Sequence, residues 1–147
     1  MSQSADAPDD WPGRSLGLPV HGPGSLARVG RRVGALVIDW AACSVLSAAF
    51  FGYDSLATLL LFTAEQLLFV ALLGGSFGHV LLGMRVHVWT GSALDVSART
   101  TPPPLRSVLI RTLLLVLVIP ALIPDAHGRG THDKAAGTVL LRRQPRP

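Results

Sequence analysis

The sequence predicts an all-α membrane protein: a helical hairpin of two transmembrane helices, a third short, proline-kinked apolar segment, and a small strand-like cytoplasmic element. Three observations carry this expectation. Residues 33–51 and 56–73 are apolar runs close to the roughly 20 residues that cross a hydrocarbon core. Charged residues make up 15% of the chain, against roughly 25% in ordinary soluble domains. The mean hydropathy is +0.44, which leaves too little polar surface to coat a water-soluble fold.

Residues 1–27 are polar and rich in Gly and Pro, and Asp6, Asp9 and Asp10 keep them solvated, so a loosely extended tail is expected. The tail has no apolar stretch or cleavage-like site of a signal peptide, and the first apolar run is expected to be an uncleaved anchor. Arg28, Arg31 and Arg32 precede that run and place the N-terminus in the cytoplasm. Gly52-Tyr53-Asp54-Ser55 allows only a tight turn, and Gly74-Gly75 is a stop signal for the returning helix.

Beyond it, Arg85-Val86-His87-Val88-Trp89 alternates with the two-residue period of a strand, after a short interfacial helix over 78–84. Pro102-Pro103-Pro104 forces an extended approach to the third apolar segment, residues 108–123. That segment is short for a straight crossing, and Pro120 would kink it. A full crossing would put Arg129, Lys134, Arg142, Arg143 and Arg146 outside, against the positive-inside rule. A re-entrant or strongly tilted segment, broken at Pro120, keeps them inside and lets residues 138–141 pair with the strand around Val86 and Val88. Residues 28–143 then form one membrane domain, and 144–147 a basic tail.

The pI near 10.6 comes from arginines that flank apolar runs, so the expected partner is anionic lipid headgroups and not nucleic acid. Cys43 stands alone in an apolar run and offers no disulfide. Gly74-Gly75-Ser76-Phe77-Gly78 matches a hydrolase nucleophile elbow, but it follows an apolar helix and lacks the strand–helix alternation that motif needs. The spacing of His127, His132 and Asp133 fits no metal site, and no enzyme, metal or cofactor is expected.

The informative residues are charges inside the apolar runs. A carboxylate at Asp39 is costly in a bilayer and must be paired, hydrated or neutral. Arg32 shares its helix face but lies seven residues away, about 10 Å along the axis, so Arg111 or Arg85 is the better expected partner. Glu65 sits near the middle of the second run beside Gln66, with no cation in its own helix.

Taken in order, three motifs resemble the RDD family of small bacterial membrane proteins, named for one Arg and two Asp. Arg32 to Asp39 resembles the first, Gly74-Gly75-Ser76-Phe77-Gly78 through Gly83 and Val86 the second, and His132-Asp133-Lys134-Ala135-Ala136-Gly137-Thr138 the third. Arg106 and Arg111 fall where the family carries Arg before its last apolar segment, while His79 and Val80 stand where it often has basic residues. Abundant Arg, Ala and Gly resemble an actinobacterial member. The resemblance implies a multi-pass protein of the bacterial cytoplasmic membrane, with Arg32, Asp39, Arg111 and Asp133, and the glycines Gly74, Gly78, Gly83 and Gly137, at motif positions. It also implies a role in transport, cation/proton exchange being ascribed to some members.

Two functions follow. As a transport component, the chain would use Asp39 and Glu65 to bind a proton or small cation, and would need a homo-oligomer to enclose a path. As an accessory or scaffold protein, it would use its buried charges to hold its own helices or a partner membrane protein. The first requires acidic groups facing a hydrated route, the second acidic groups closed off in pairs.

Overall fold

The computed structural model describes residues 11, 13–89, 103–117 and 131–143, and they are mostly helical. Helix α1 (Val29–Phe51) and helix α2 (Ser55–Leu73) form the expected hairpin, and both are long and apolar enough to cross a membrane. α1 starts four residues before the apolar run, because Arg31 and Arg32 are good helix formers and outweigh the single Gly30 in the first turn. Asp54 starts α2: its carboxylate accepts the Ala57 N–H at 2.8 Å, the usual N-cap bond. Gly74 ends α2 in the left-handed conformation, with φ +72°.

The two helices meet along stripes that repeat every four residues. Ala35, Asp39, Cys43 and Ser47 are buried on α1, and Thr58, Phe62, Gln66 and Val70 on α2. The stripes run antiparallel in register. Ala35 and Val70 share one buried cluster, Gln66 donates to Asp39, and Cys43 and Phe62 share another cluster. Ser47 and Thr58 both donate to the Asp54 carbonyl at the turn. Small and polar side chains thus lie between the helices, while Val37, Val45, Phe50, Leu60, Leu68 and Leu72 point outward and are exposed. Only 22% of each apolar span is buried, the reverse of a soluble core helix.

At the end of the hairpin that carries Arg28, Arg31 and Arg32, the remaining elements form a cap. Helix α3 (Phe77–Leu81) is followed by strand β1 (Met84–Val88), helix α4 (Leu105–Val116), helix α5 (Thr131–Ala135) and strand β2 (Thr138–Arg142). β1 and β2 pair antiparallel, with Val86 opposite Leu140 and Val88 opposite Thr138, so the expected long-range strand pair forms. Because β2 lies here, the chain after α4 has come back to the end from which α1 started.

Two expectations change. Residues 13–27, read as part of a loose tail, pack on β2. Leu26 bridges to Leu141, the Ala27 N–H donates to Leu140, and Leu18 and Leu26 share a buried cluster with Val139 and Leu141. The tail's composition concealed this, since Leu16, Leu18 and Leu26 are too sparse for a periodic signal but find an apolar face on β2. The third segment, expected over 108–123, begins earlier: Pro104 is extended and α4 starts at Leu105. Its 12 residues span about 18 Å. Val108 packs with Ala35 and Val70, and Leu115 with Cys43 and Phe62, so α4 runs beside the hairpin from the basic end to its middle. Pro120, His127 and Arg129 lie outside the described residues, as do the two terminal tails, residues 1–10 and 144–147.

Candidate functional site

Two polar clusters lie where the cap meets the hairpin, and between them they contain Arg32, Asp39, Glu65, Arg111 and Asp133. Arg32 and Asp39 belong to one face of α1, and each reaches a different motif.

Asp39 reaches the second motif. Its Oδ2 accepts the Ser76 hydroxyl at 2.5 Å and the Gln66 side-chain amide at 3.0 Å, and its Oδ1 accepts the Gly78 N–H. Three donors converge on one carboxylate that is 1% exposed. Glu65 takes the neighbouring amide: its Oε1 accepts the Phe77 N–H at 2.7 Å, and its Oε2 a second bond from Gln66 at 3.1 Å. The Gln66 amide therefore bridges the two carboxylates, and both receive N–H groups from the first turn of α3, which have no partner within the helix. The expected arginine partner of Asp39 is corrected. Hydrogen-bond donors hold this carboxylate, and Arg111 acts on it only through its charge.

Ser76 organises the same corner. It is the N-cap of α3 in a reciprocal capping box: its Oγ accepts the His79 N–H at 3.3 Å, and its own N–H donates to His79 Nδ1 at 3.1 Å. In a nucleophile relay the histidine stands between serine and acid. Here the serine stands between Asp39 and His79 and is fully buried. Only a glycine fits at position 78, because a Cβ there would stand 2.2 Å from the Ala35 carbonyl oxygen. Gly74 ends α2, and Gly83 and Gly137 turn the chain into β1 and β2.

Arg32 reaches the third motif. Its Nη1 lies 3.2 Å from Asp133 Oδ2, and its Nε donates to the Ala27 carbonyl at 2.8 Å. Arg111, from α4, closes on the other oxygen of the same carboxylate. Asp133 is fully buried and Arg111 2% exposed, so one carboxylate ties α1, α4 and α5 together. Thr138, the first residue of β2, donates to the Asp133 carbonyl at 3.3 Å.

No family model, curated protein or solved structure matches this chain. The reading of function therefore rests on geometry and on the motif order. Sequence reasoning missed Ser76 and Gln66 as partners of Asp39. The S-x-x-H spacing of a capping box was visible, but the meeting of Asp39 with residues 37 and 39 positions later had no local signal. Both carboxylates at the centres of these clusters, Asp39 and Asp133, are engaged on both oxygens by groups from other elements, so the clusters act as joints between elements. Glu65 alone among the carboxylates of the two clusters is half-buried.

Proposed function

We propose that the chain is an RDD-type multi-pass protein of a bacterial cytoplasmic membrane that acts as an accessory or scaffold component, its buried ionic groups serving to hold its own fold. The inside-out hairpin supports the membrane part: small and polar residues line the α1–α2 contact, and large apolar residues cover its outside. Water would penalise that surface, whereas lipid accepts it. The return of β2 to the end where α1 starts supports a two-crossing topology, with α4 entering and leaving on one side. The exposed Arg28, Arg31, Arg106 and Arg143 at that end are suited to anionic headgroups of the cytoplasmic leaflet.

One observation carries the accessory reading over transport. Asp133 is closed by two arginines and Asp39 by three hydrogen-bond donors, so neither faces a hydrated route. The joint test is fractionation followed by flux. The full chain should stay in the membrane pellet through alkaline carbonate washing, and in sealed proteoliposomes it should move no protons against Na⁺ or K⁺ gradients. Release by carbonate would contradict the membrane reading. Cation-driven flux that disappears in Glu65→Gln would replace the accessory reading with transport.

A further inference from the structure

Four residues on the outer flank of α2, Leu61, Glu65, Leu68 and Leu72, recur at intervals of four, three and four. That spacing keeps them on one helix face and is the seam by which helices pack side by side. Leu68 and Leu72 are exposed, while Leu61 and Glu65 are half-buried. Phe77 of α3, also exposed, stands edge-on to Phe69 at 6.4 Å and forms a wall on one side.

Glu65 is the odd member of this seam. It is the eleventh of the 19 residues of α2, at mid-helix. Its two donors, the Phe77 N–H and the Gln66 amide, are neutral, and no cation among the described residues pairs with it. Each carboxylate oxygen keeps a second lone pair for a charge-assisted bond. The two arginines of the neighbouring cluster are committed, because Arg32 and Arg111 both close on Asp133. In the two polar clusters Asp39 and Asp133 balance Arg32 and Arg111 in number, which leaves Glu65 as their surplus carboxylate.

We infer that this seam docks a transmembrane helix of another protein that carries Lys or Arg at the matching depth. The inference rests on the membrane reading above and names the partner class of the accessory role. An unmatched carboxylate at mid-span is costly, and a cation on a neighbouring helix offsets that cost where soluble ions cannot follow. The leucines above and below supply the apolar packing, and the Glu–cation contact sets depth and register. A second copy of this chain is a poor occupant, because its own buried guanidinium, Arg111, is already closed on Asp133.

The test uses the purified full chain, fluorescently labelled, in zwitterionic liposomes with synthetic polyleucine transmembrane peptides carrying a central Lys, Leu or Glu. Energy transfer should show the Lys peptide binding about tenfold tighter than the Leu peptide, with the Glu peptide weakest. Glu65→Gln should reduce the Lys peptide to the level of the Leu peptide. Equal binding of Lys and Leu peptides to the wild type would overturn the inference without any variant being needed. Energy transfer between labelled copies that is lost in Glu65→Gln would also overturn it, assigning the seam to self-association. Carbonate resistance in the same liposomes separates the two readings. An inserted chain with no cation preference sinks the seam alone, whereas a chain that washes off sinks the membrane reading and the seam with it.

Discussion

Gly78 of α3 and Ala35 of α1 approach backbone to backbone, so closely that a Cβ on residue 78 would stand 2.2 Å from the Ala35 carbonyl oxygen. The contact brings the Gly78 N–H onto Asp39 one turn further along α1. Close packing and carboxylate capping are thus one joint, and either fails without the other.

Gly78→Ala tests that joint. The added methyl has only backbone to push against, so α3 must shift and Asp39 loses a donor. The expected loss is about 2–3 kcal/mol of stability, at the high end of overpacking costs. Gly30→Ala, on the same helix as Ala35 but with open space around it, should be close to neutral. Thermal unfolding in mild detergent compares the two.

Asp133→Asn should be among the most damaging single changes. It leaves Arg111 buried without the counter-charge of Asp133 and removes one partner of Arg32. Breaking a buried pair in this way costs roughly 3–5 kcal/mol. Arg106→Gln, at an exposed position on α4, should have little effect. Limited proteolysis should show early cleavage of the C-terminal segment in the Asp133 variant only.

Asp39→Asn separates a structural carboxylate from a conducting one. All three groups around Asp39 are donors, and asparagine offers one acceptor oxygen and turns an NH₂ towards the rest. A loss of about 1–3 kcal/mol is expected from the bonds that are broken. Ser76→Ala, which removes one donor and the cap of α3, should fall in the same direction with a smaller effect. An Asp39→Asn protein as stable as the wild type would remove the structural role assigned to this residue.

Val45→Lys tests the outer face. Val45 is 68% exposed and makes no part of the core. On a water-facing helix this change would be nearly silent. Within a bilayer span it costs insertion free energy, up to about 2.5–3.5 kcal/mol at the helix centre and less at Val45, six residues from the end of α1. The yield of carbonate-resistant protein should therefore fall well below that of Val45→Leu.

The hairpin was legible in the sequence because run length and turn residues are local signals: the spans read as 33–51 and 56–73 became Val29–Phe51 and Ser55–Leu73. The pairing of β1 with β2 was also within reach, since the basic C-terminal residues needed to return to the side of Arg32. The partners of the charges were not legible. Helix periodicity puts Arg32 and Asp39 on one face but says nothing about which distant residue meets each. Asp39 turned out to be held by a serine, an amide and a backbone N–H where an arginine was expected. Arg111 went instead to Asp133, from a segment whose five-residue helix carries no periodic signal. The packing of Leu18 and Leu26 on β2 was hidden for the same reason, as it depends on a face assembled from the far end of the chain.

The proposed two-crossing hairpin has both ends of the described chain on one side of the bilayer, and thiol labelling in sealed vesicles reads those sides. In a Cys43→Ser background, single cysteines would replace Ser15, Ser55 and Arg143, all exposed, and an impermeant maleimide would be applied from one face at a time. Positions 15 and 143 should label from the same face and position 55 only from the other. Labelling of 143 together with 55, or of all three from both faces, would contradict that topology.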